Sequence, residues 1–129
     1  MTKQIMVYLS DLHFEHKQWI NELNFWEDEI KLFTKRLEEV VSRYTSNEIR
    51  VKIEHFQNQF VVHAQVIDSL KKEVKKHEKW ISDKAEVSPV AIDHVLFTDH
   101  TTVRDRMDTQ RSIYSELKND YFNFLSRTM

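Results

Sequence analysis

The chain has 129 residues, a formal net charge of −2 and a charged fraction of 31%, with no glycine, no cysteine and one proline. Without cysteine no disulfide or thiolate nucleophile exists. Without glycine, the hairpin turns of a sheet-rich fold and a phosphate-binding loop are both disfavoured. The weak charge gives no field for nucleic acid or a membrane surface, and the chain lacks a signal peptide or membrane-spanning apolar run. We therefore expect one cytoplasmic domain over residues 1–129.

A heptad seam predicts the first helix, over about residues 3–44. Apolar and aromatic side chains recur at alternating steps of three and four residues, and a histidine takes one of these positions. This spacing is typical of a helix that buries one stripe against partner helices, as in coiled coils. The seam positions are Leu9, Leu12, His16, Trp19, Leu23, Trp26, Ile30, Phe33, Leu37, Val40 and Tyr44.

A second seam predicts a helix over about residues 46–83. Thr45 and Glu48 have the spacing of a capping box at its start. Its later turns carry a run of lysines, which we interpret as a solvated face. The seam positions are Ile49, Ile53, Phe56, Phe60, His63, Ile67, Leu70, Val74, His77, Ile81 and Lys84.

A third seam predicts a helix over about residues 89–127. Ser88 followed by Pro89 has the pattern of an N-cap and a first helical residue. The seam positions are Asp93, Leu96, His100, Val103, Met107, Gln110, Tyr114, Leu117, Tyr121, Phe124 and Thr128.

These three helices predict an all-α fold, an elongated antiparallel three-helix bundle that runs up, down and up. The two connections are short, and short connections join antiparallel neighbours. A four-helix version with the second or third helix broken is the alternative, although no internal glycine or proline supports a break. The Glu-x-x-His pairs of di-iron bundles are absent.

Alignment of the seams from the two turns places His16, His77 and His100 in one layer, with apolar layers on both sides. Each imidazole there carries polar nitrogens that need partners. Neutral imidazole is a ligand of zinc, copper, iron and nickel, and three histidines with a water is a known zinc arrangement. The sequence therefore predicts a metal site at these histidines for zinc or another divalent transition ion.

Four neighbouring residues complete the predicted site. His13 lies one helical turn before His16 and is a candidate fourth ligand. Glu15, Glu78 and Asp99 each adjoin a layer histidine in sequence. Since residues adjacent in a helix do not face each other, these carboxylates are expected to accept ring N–H groups from the neighbouring helix.

Other interpretations stay open. The histidine layer could be purely structural and fix the helix register, or it could be a pH switch that protonates near about pH 6. The chain would then be a non-catalytic interaction or adaptor protein, which forms a homodimer or binds a partner helix through outward apolar residues. An enzyme is disfavoured, because apolar layers cover the site. The outward residues are Ile20, Val41, Val66, Trp80, Phe97, Ile113 and Leu125, with Phe14, Phe25, Val62 and Phe122 further out.

A second polar group is expected to be structural. His63 and Tyr114 share a predicted layer, and Gln110 lies one turn from Tyr114. A hydroxyl, an imidazole and an amide can satisfy one another in a core. His55 lies off the seam and is expected to be solvated.

Overall fold

The structure is a computed structural model with three helices in its described part. Its backbone is described for residues 2–43, 46–87 and 92–128, and its side chains for residues 11–43, 46–83 and 98–128. The helices are α1 (Thr2–Arg43), α2 (Asn47–Val87) and α3 (Ile92–Thr128).

The all-α three-helix prediction is confirmed. α2 packs against both α1 and α3, and each helix is unbroken in the described residues. α2 continues to Val87, four residues beyond the predicted end. The predicted capping residue Thr45, and the Ser88–Pro89 start of the third helix, lie outside the described residues.

The heptad seams form the interior of the bundle. All described seam side chains are buried except three that are partly buried, which are Phe33, Ile49 and Thr128. This burial follows from helix geometry, because steps of three and four residues return to the same face. The seam side chains outside the described residues are Leu9, Tyr44, Lys84, Asp93 and Leu96.

The end of the bundle near the connection between α1 and α2 has an aromatic core. Tyr121 is its centre, with ring centroids 4.9 Å from Phe33, 5.6 Å from Phe56 and 5.2 Å from Phe60. The Tyr121 hydroxyl donates to the backbone oxygen of Phe33 at 3.2 Å, so this buried polar group is satisfied. The aromatic rings are therefore core residues, as predicted.

A ladder of ion pairs joins α1 to α3. Each pair has the same separation of 89 residues along the chain, and a constant separation is possible only if the two helices run parallel. The ladder therefore reports the up-down-up order directly. The pairs are Glu15 with Arg104, Glu22 with Arg111, and Glu29 with Lys118.

Several outward apolar side chains are exposed, which is compatible with partner binding. Ile20 and Leu125 instead pack against the core, and the side chain of Phe97 is outside the described residues. Within the described chain, no helix combines the length and apolar character needed to cross a bilayer. Phe14 and Phe25 are the most exposed of the predicted outward side chains that the structure describes, and Leu32, Val51 and Val61, which were not among those predicted, are exposed as well.

Candidate metal centre

One histidine from each helix lies in the same buried layer. His16, His77 and His100 are each 3% exposed. The inner nitrogens His16 Nε2 and His77 Nε2 lie 3.1 Å and 3.3 Å from His100 Nδ1. These three ligand atoms all lie within 4.8 Å of one another. The predicted convergence of the three rings is confirmed.

The outer nitrogen of each ring contacts a carboxylate on a neighbouring helix. Such a contact fixes the ring orientation and sets which nitrogen carries the hydrogen. The carboxylates are the three that the sequence singled out. The contacts are His16 Nδ1 with Glu78 Oε2, His77 Nδ1 with Asp99 Oδ2 at 2.7 Å, and His100 Nε2 with Glu15 Oε1 at 2.9 Å.

The three contacts form a ring around the bundle axis. Glu15 on α1 contacts the histidine of α3, Asp99 on α3 contacts that of α2, and Glu78 on α2 contacts that of α1. Adjacent helix residues point about 100° apart. Because α2 runs opposite to α1 and α3, its carboxylate must come after its histidine in the sequence, whereas the carboxylates of α1 and α3 must come before theirs. The sequence has this order, since Glu78 follows its histidine while Glu15 and Asp99 precede theirs.

The hydrogen bonds determine where the ring lone pairs point. An ionised carboxylate only accepts, so each outer ring nitrogen donates and each inner nitrogen keeps a lone pair. Burial lowers the pKa of His16 and of His100, which favours their neutral forms. Three lone pairs then face one another in a buried layer and repel one another. A cation among them would turn this repulsion into attraction.

Arg104 stabilises the ionised form of Glu15. Its Nε and Nη2 lie 2.8 Å and 3.1 Å from the two oxygens of Glu15, a bidentate contact. Burial acts to raise the pKa of Glu15, but the hydrogen bonds from Arg104 and His100 outweigh it and hold this pKa below its ordinary value. Glu15 is therefore an acceptor for His100 at neutral pH.

Apolar side chains cover the histidine layer on both sides. The Trp19 ring stacks on His100 with centroids 4.9 Å apart. Burial of this kind strengthens electrostatic interactions inside the layer. The covering residues are Trp19, Val74 and Val103 towards the aromatic end, and Leu12 and Ile81 on the other side.

Two of the three separations between the inner nitrogens are compatible with a bound metal ion. Zinc binds imidazole nitrogen at about 2.0–2.1 Å, so two ligands at the tetrahedral angle lie about 3.3–3.4 Å apart. The observed separations from His100 Nδ1 are 3.1 Å and 3.3 Å. The chemistry agrees too, since three neutral imidazoles are borderline ligands that suit zinc and its neighbours.

His13 has a different place from the three inward rings. Its Nδ1 contacts Glu78 Oε1, and its side chain is 45% exposed. Glu78 thus holds His13 with one oxygen and His16 with the other. Among the described residues, the group with converging ligand atoms contains His16, His77 and His100 alone.

Sequence reasoning missed two contacts of the site. Arg104 was not singled out, although its heptad spacing from Arg111 and Lys118 is visible in the sequence and signals a charged stripe on one helix face. The stacking of Trp80 on His77, with centroids 6.4 Å apart, has a weaker signal. Trp80 lies three residues after His77, which brings the two onto neighbouring positions of one face.

Comparison of the chain with protein-family models, with curated proteins and with solved structures finds no match. By its fold and its site, the protein is a three-helix bundle with a buried cluster of three histidines.

Proposed function

We propose that the protein binds one divalent transition-metal ion, zinc fitting best, and that the ion joins the three helices at the histidine layer. The ligand atoms are Nε2 of His16, Nε2 of His77 and Nδ1 of His100. The observation that carries the proposal is the convergence of these nitrogens in a buried layer, with every outer nitrogen on a carboxylate. We also propose that the chain forms a single domain and that its role is not catalytic.

A metal satisfies the layer better than the structural alternatives do. A water molecule has two hydrogens, so it would leave one of three inward lone pairs without a donor. A shared proton would require a buried imidazolium, and burial lowers the pKa of His16 and His100. A dication supplies all three contacts at once.

The charge around the layer supports a dication. Three carboxylates, those of Glu15, Glu78 and Asp99, contact the layer histidines, and one of them, Glu15, is paired with Arg104. The chain has no cysteine, so the soft thiolate that selects copper(I) is missing. Copper(II) binds nitrogen ligands more tightly than zinc, so metal availability would decide between these two ions.

Metal content is the direct test. After incubation with zinc and removal of free ion, the wild-type protein should retain one equivalent by elemental analysis, whereas His77→Ala should retain none. His55→Ala is the matched control, because His55 is exposed and lies outside the converging group. It should bind zinc as the wild type does.

Thermal melting measures what the ion contributes. At a free ion concentration of 100 times Kd, binding adds about 2.7 kcal/mol, which corresponds to a rise in Tm of roughly 10 °C for a chain of this size. A chelator should remove this rise from the wild type and from His55→Ala, and should leave His77→Ala unchanged. Zinc-free protein with a chelator-insensitive Tm would refute the proposal.

Partner binding through the outward apolar side chains stays a prediction. Phe14, Phe25 and Leu32 on α1 are 63%, 59% and 66% exposed. Side chains of this size are compatible with a homodimer or a partner protein. In either case the interaction would use the outer surface and leave the histidine layer to the metal.

A further inference from the structure

We propose that the metal ion reaches the histidine layer between α2 and α3, where Asp99 captures it, and leaves by the same path. This inference rests on the proposed function and adds the route by which the site is loaded. Each pair of helices forms one side of the bundle, and each side contains one carboxylate–histidine contact. The three sides differ in exposure and in charge.

Exposure favours the side between α2 and α3. The side chain of Asp99 is 55% exposed, against 32% for Glu78 and 28% for Glu15. Among the described side chains, Asp99 has one hydrogen-bond partner, His77, which it contacts through Oδ2. Its other carboxylate oxygen has no partner among these described side chains.

The side between α1 and α3 presents a positive charge. The guanidinium of Arg104 occupies both oxygens of Glu15. A metal ion that approaches there meets a fixed cation before it meets the carboxylate. Both oxygens of Glu15 would have to exchange partners, so this side disfavours uptake.

The side between α1 and α2 is also positive. A surface cleft there has an apolar floor of Ile20 and Val74 and reaches His16. Its carboxylate, Glu78, is already held by two histidines. The cations that line this cleft are Lys17, Lys75 and Lys79.

The charges in and beside the cleft between α2 and α3 balance, so this cleft lacks the positive excess of the other two sides. It reaches His77 and is lined by the carboxylates of Asp99 and Glu73 with one lysine, Lys76. Glu73 is paired with Arg106, so Asp99 is the carboxylate that an incoming cation meets. A cation is therefore repelled less at this cleft than at the lysine-lined cleft between α1 and α2, which favours its association here.

The path from Asp99 to the layer requires one ring to move. His77 Nδ1 is bonded to Asp99, and its Nε2 faces the interior. When a cation binds Asp99, this hydrogen bond is weakened, and outward rotation of the imidazole presents a nitrogen to the ion. Return of the ring delivers the ion to His16 and His100. Trp80, which stacks on His77, is half-buried and can follow the rotation.

Two lysine substitutions test the route without altering any ligand or any carboxylate that contacts a histidine. Lys76 lines the cleft between α2 and α3, and Lys79 lines the cleft between α1 and α2. Both are exposed. Lys76→Glu and Lys79→Glu make the same charge change three residues apart on one helix. The probe is cobalt(II), whose binding beside Trp19 and Trp80 quenches tryptophan fluorescence in stopped-flow mixing.

We expect Lys76→Glu to raise the association rate constant about threefold to tenfold at low ionic strength, with the gain lost in high salt. Lys79→Glu should change it by less than about twofold, because two lysines still line that cleft. Asp99→Asn should lower the rate constant about tenfold. Equal rates for the two lysine variants would overturn the route while cobalt binding itself stood. Absence of cobalt binding in the wild type would instead refute the proposed function.

Discussion

A buried histidine is stable only when both ring nitrogens have a suitable environment, and the two groups of buried histidines here meet this need differently. His63 is 5% exposed, and its Nδ1 lies 2.9 Å from Gln110 Nε2. The amide N–H of Gln110 therefore donates a hydrogen bond to the lone pair of His63 Nδ1. The inward nitrogens of the histidine layer face one another instead. This difference in donors, rather than burial as such, separates a structural histidine from a candidate ligand.

The His63–Gln110 pair makes a prediction about stability. His63→Leu leaves a buried amide without its partner, which should lower the free energy of unfolding by about 1–3 kcal/mol at pH 7. The double variant His63→Leu/Gln110→Leu should recover most of this loss, because both polar groups are then gone. Urea denaturation of the wild type, the single variant and the double variant, with a chelator present, measures these free energies of unfolding. A double variant as unstable as the single one would contradict the assigned contact.

The same pair contributes to pH dependence. Burial lowers the pKa of His63 from its ordinary value of 6.5, so the unfolded chain takes up a proton at a higher pH than the folded chain. The stability that neutral His63 contributes is therefore present above about pH 6.5 and is lost as the pH falls through its folded pKa. The double variant should accordingly lose less stability than the wild type between pH 7 and pH 5.

The sequence predicts which helix faces are buried but not which partner a long side chain selects. Tyr114 was expected to bond with His63, whereas its hydroxyl donates to Glu29 at 3.1 Å. Heptad periodicity predicts the buried face of a helix reliably, because many apolar side chains along the seam each favour burial of the same face. A hydroxyl or a carboxylate at the edge of that face has several acceptors or donors within reach, and their distances depend on helix rotation. The three layer histidines could be predicted because they point to the axis, where few alternatives exist.

At the scale of the helices, charged residues on the flanks determine how α1 and α3 align. Arg111 donates two hydrogen bonds to Glu22, of 2.6 Å and 2.7 Å, and these bonds raise the pKa of Arg111. The neighbouring pair Glu29 with Lys118 repeats the contact one heptad later. A shift of α3 by one heptad would leave a charge at each end of this row without its partner, so the ladder favours the observed register.

A double-mutant cycle on Glu22→Gln and Arg111→Met tests this ladder. The bidentate geometry and the half-buried Glu22 predict a coupling energy of about 0.5–1 kcal/mol, larger than that of an ordinary surface pair. The control cycle uses Asp68 and Lys72, which are 59% and 79% exposed and should couple by about 0.3 kcal/mol. Equal coupling energies in the two cycles, measured by denaturation at low salt, would remove any special role for the ladder.

At the scale of the whole molecule, the two ends of the bundle are stabilised by different interactions. α1 has 42 residues, so the rod is about 63 Å long. Rings around Tyr121 fill one end, and the histidine layer lies towards the other. Without a metal, three mutually repelling lone pairs replace an apolar layer there. Local opening should therefore begin at the histidine layer, where polar rings take the place of apolar side chains.

Hydrogen exchange with and without zinc distinguishes this unequal stability from a single cooperative transition. Zinc should slow amide exchange in segments around His16, His77 and His100, and should change exchange little around Tyr121, because the ion closes only openings that break its ligand set. His77→Ala should show the metal-free pattern in both conditions, with His55→Ala again matching the wild type. If zinc slowed exchange equally along all three helices, the rod would unfold as one unit and the metal would stabilise both ends alike.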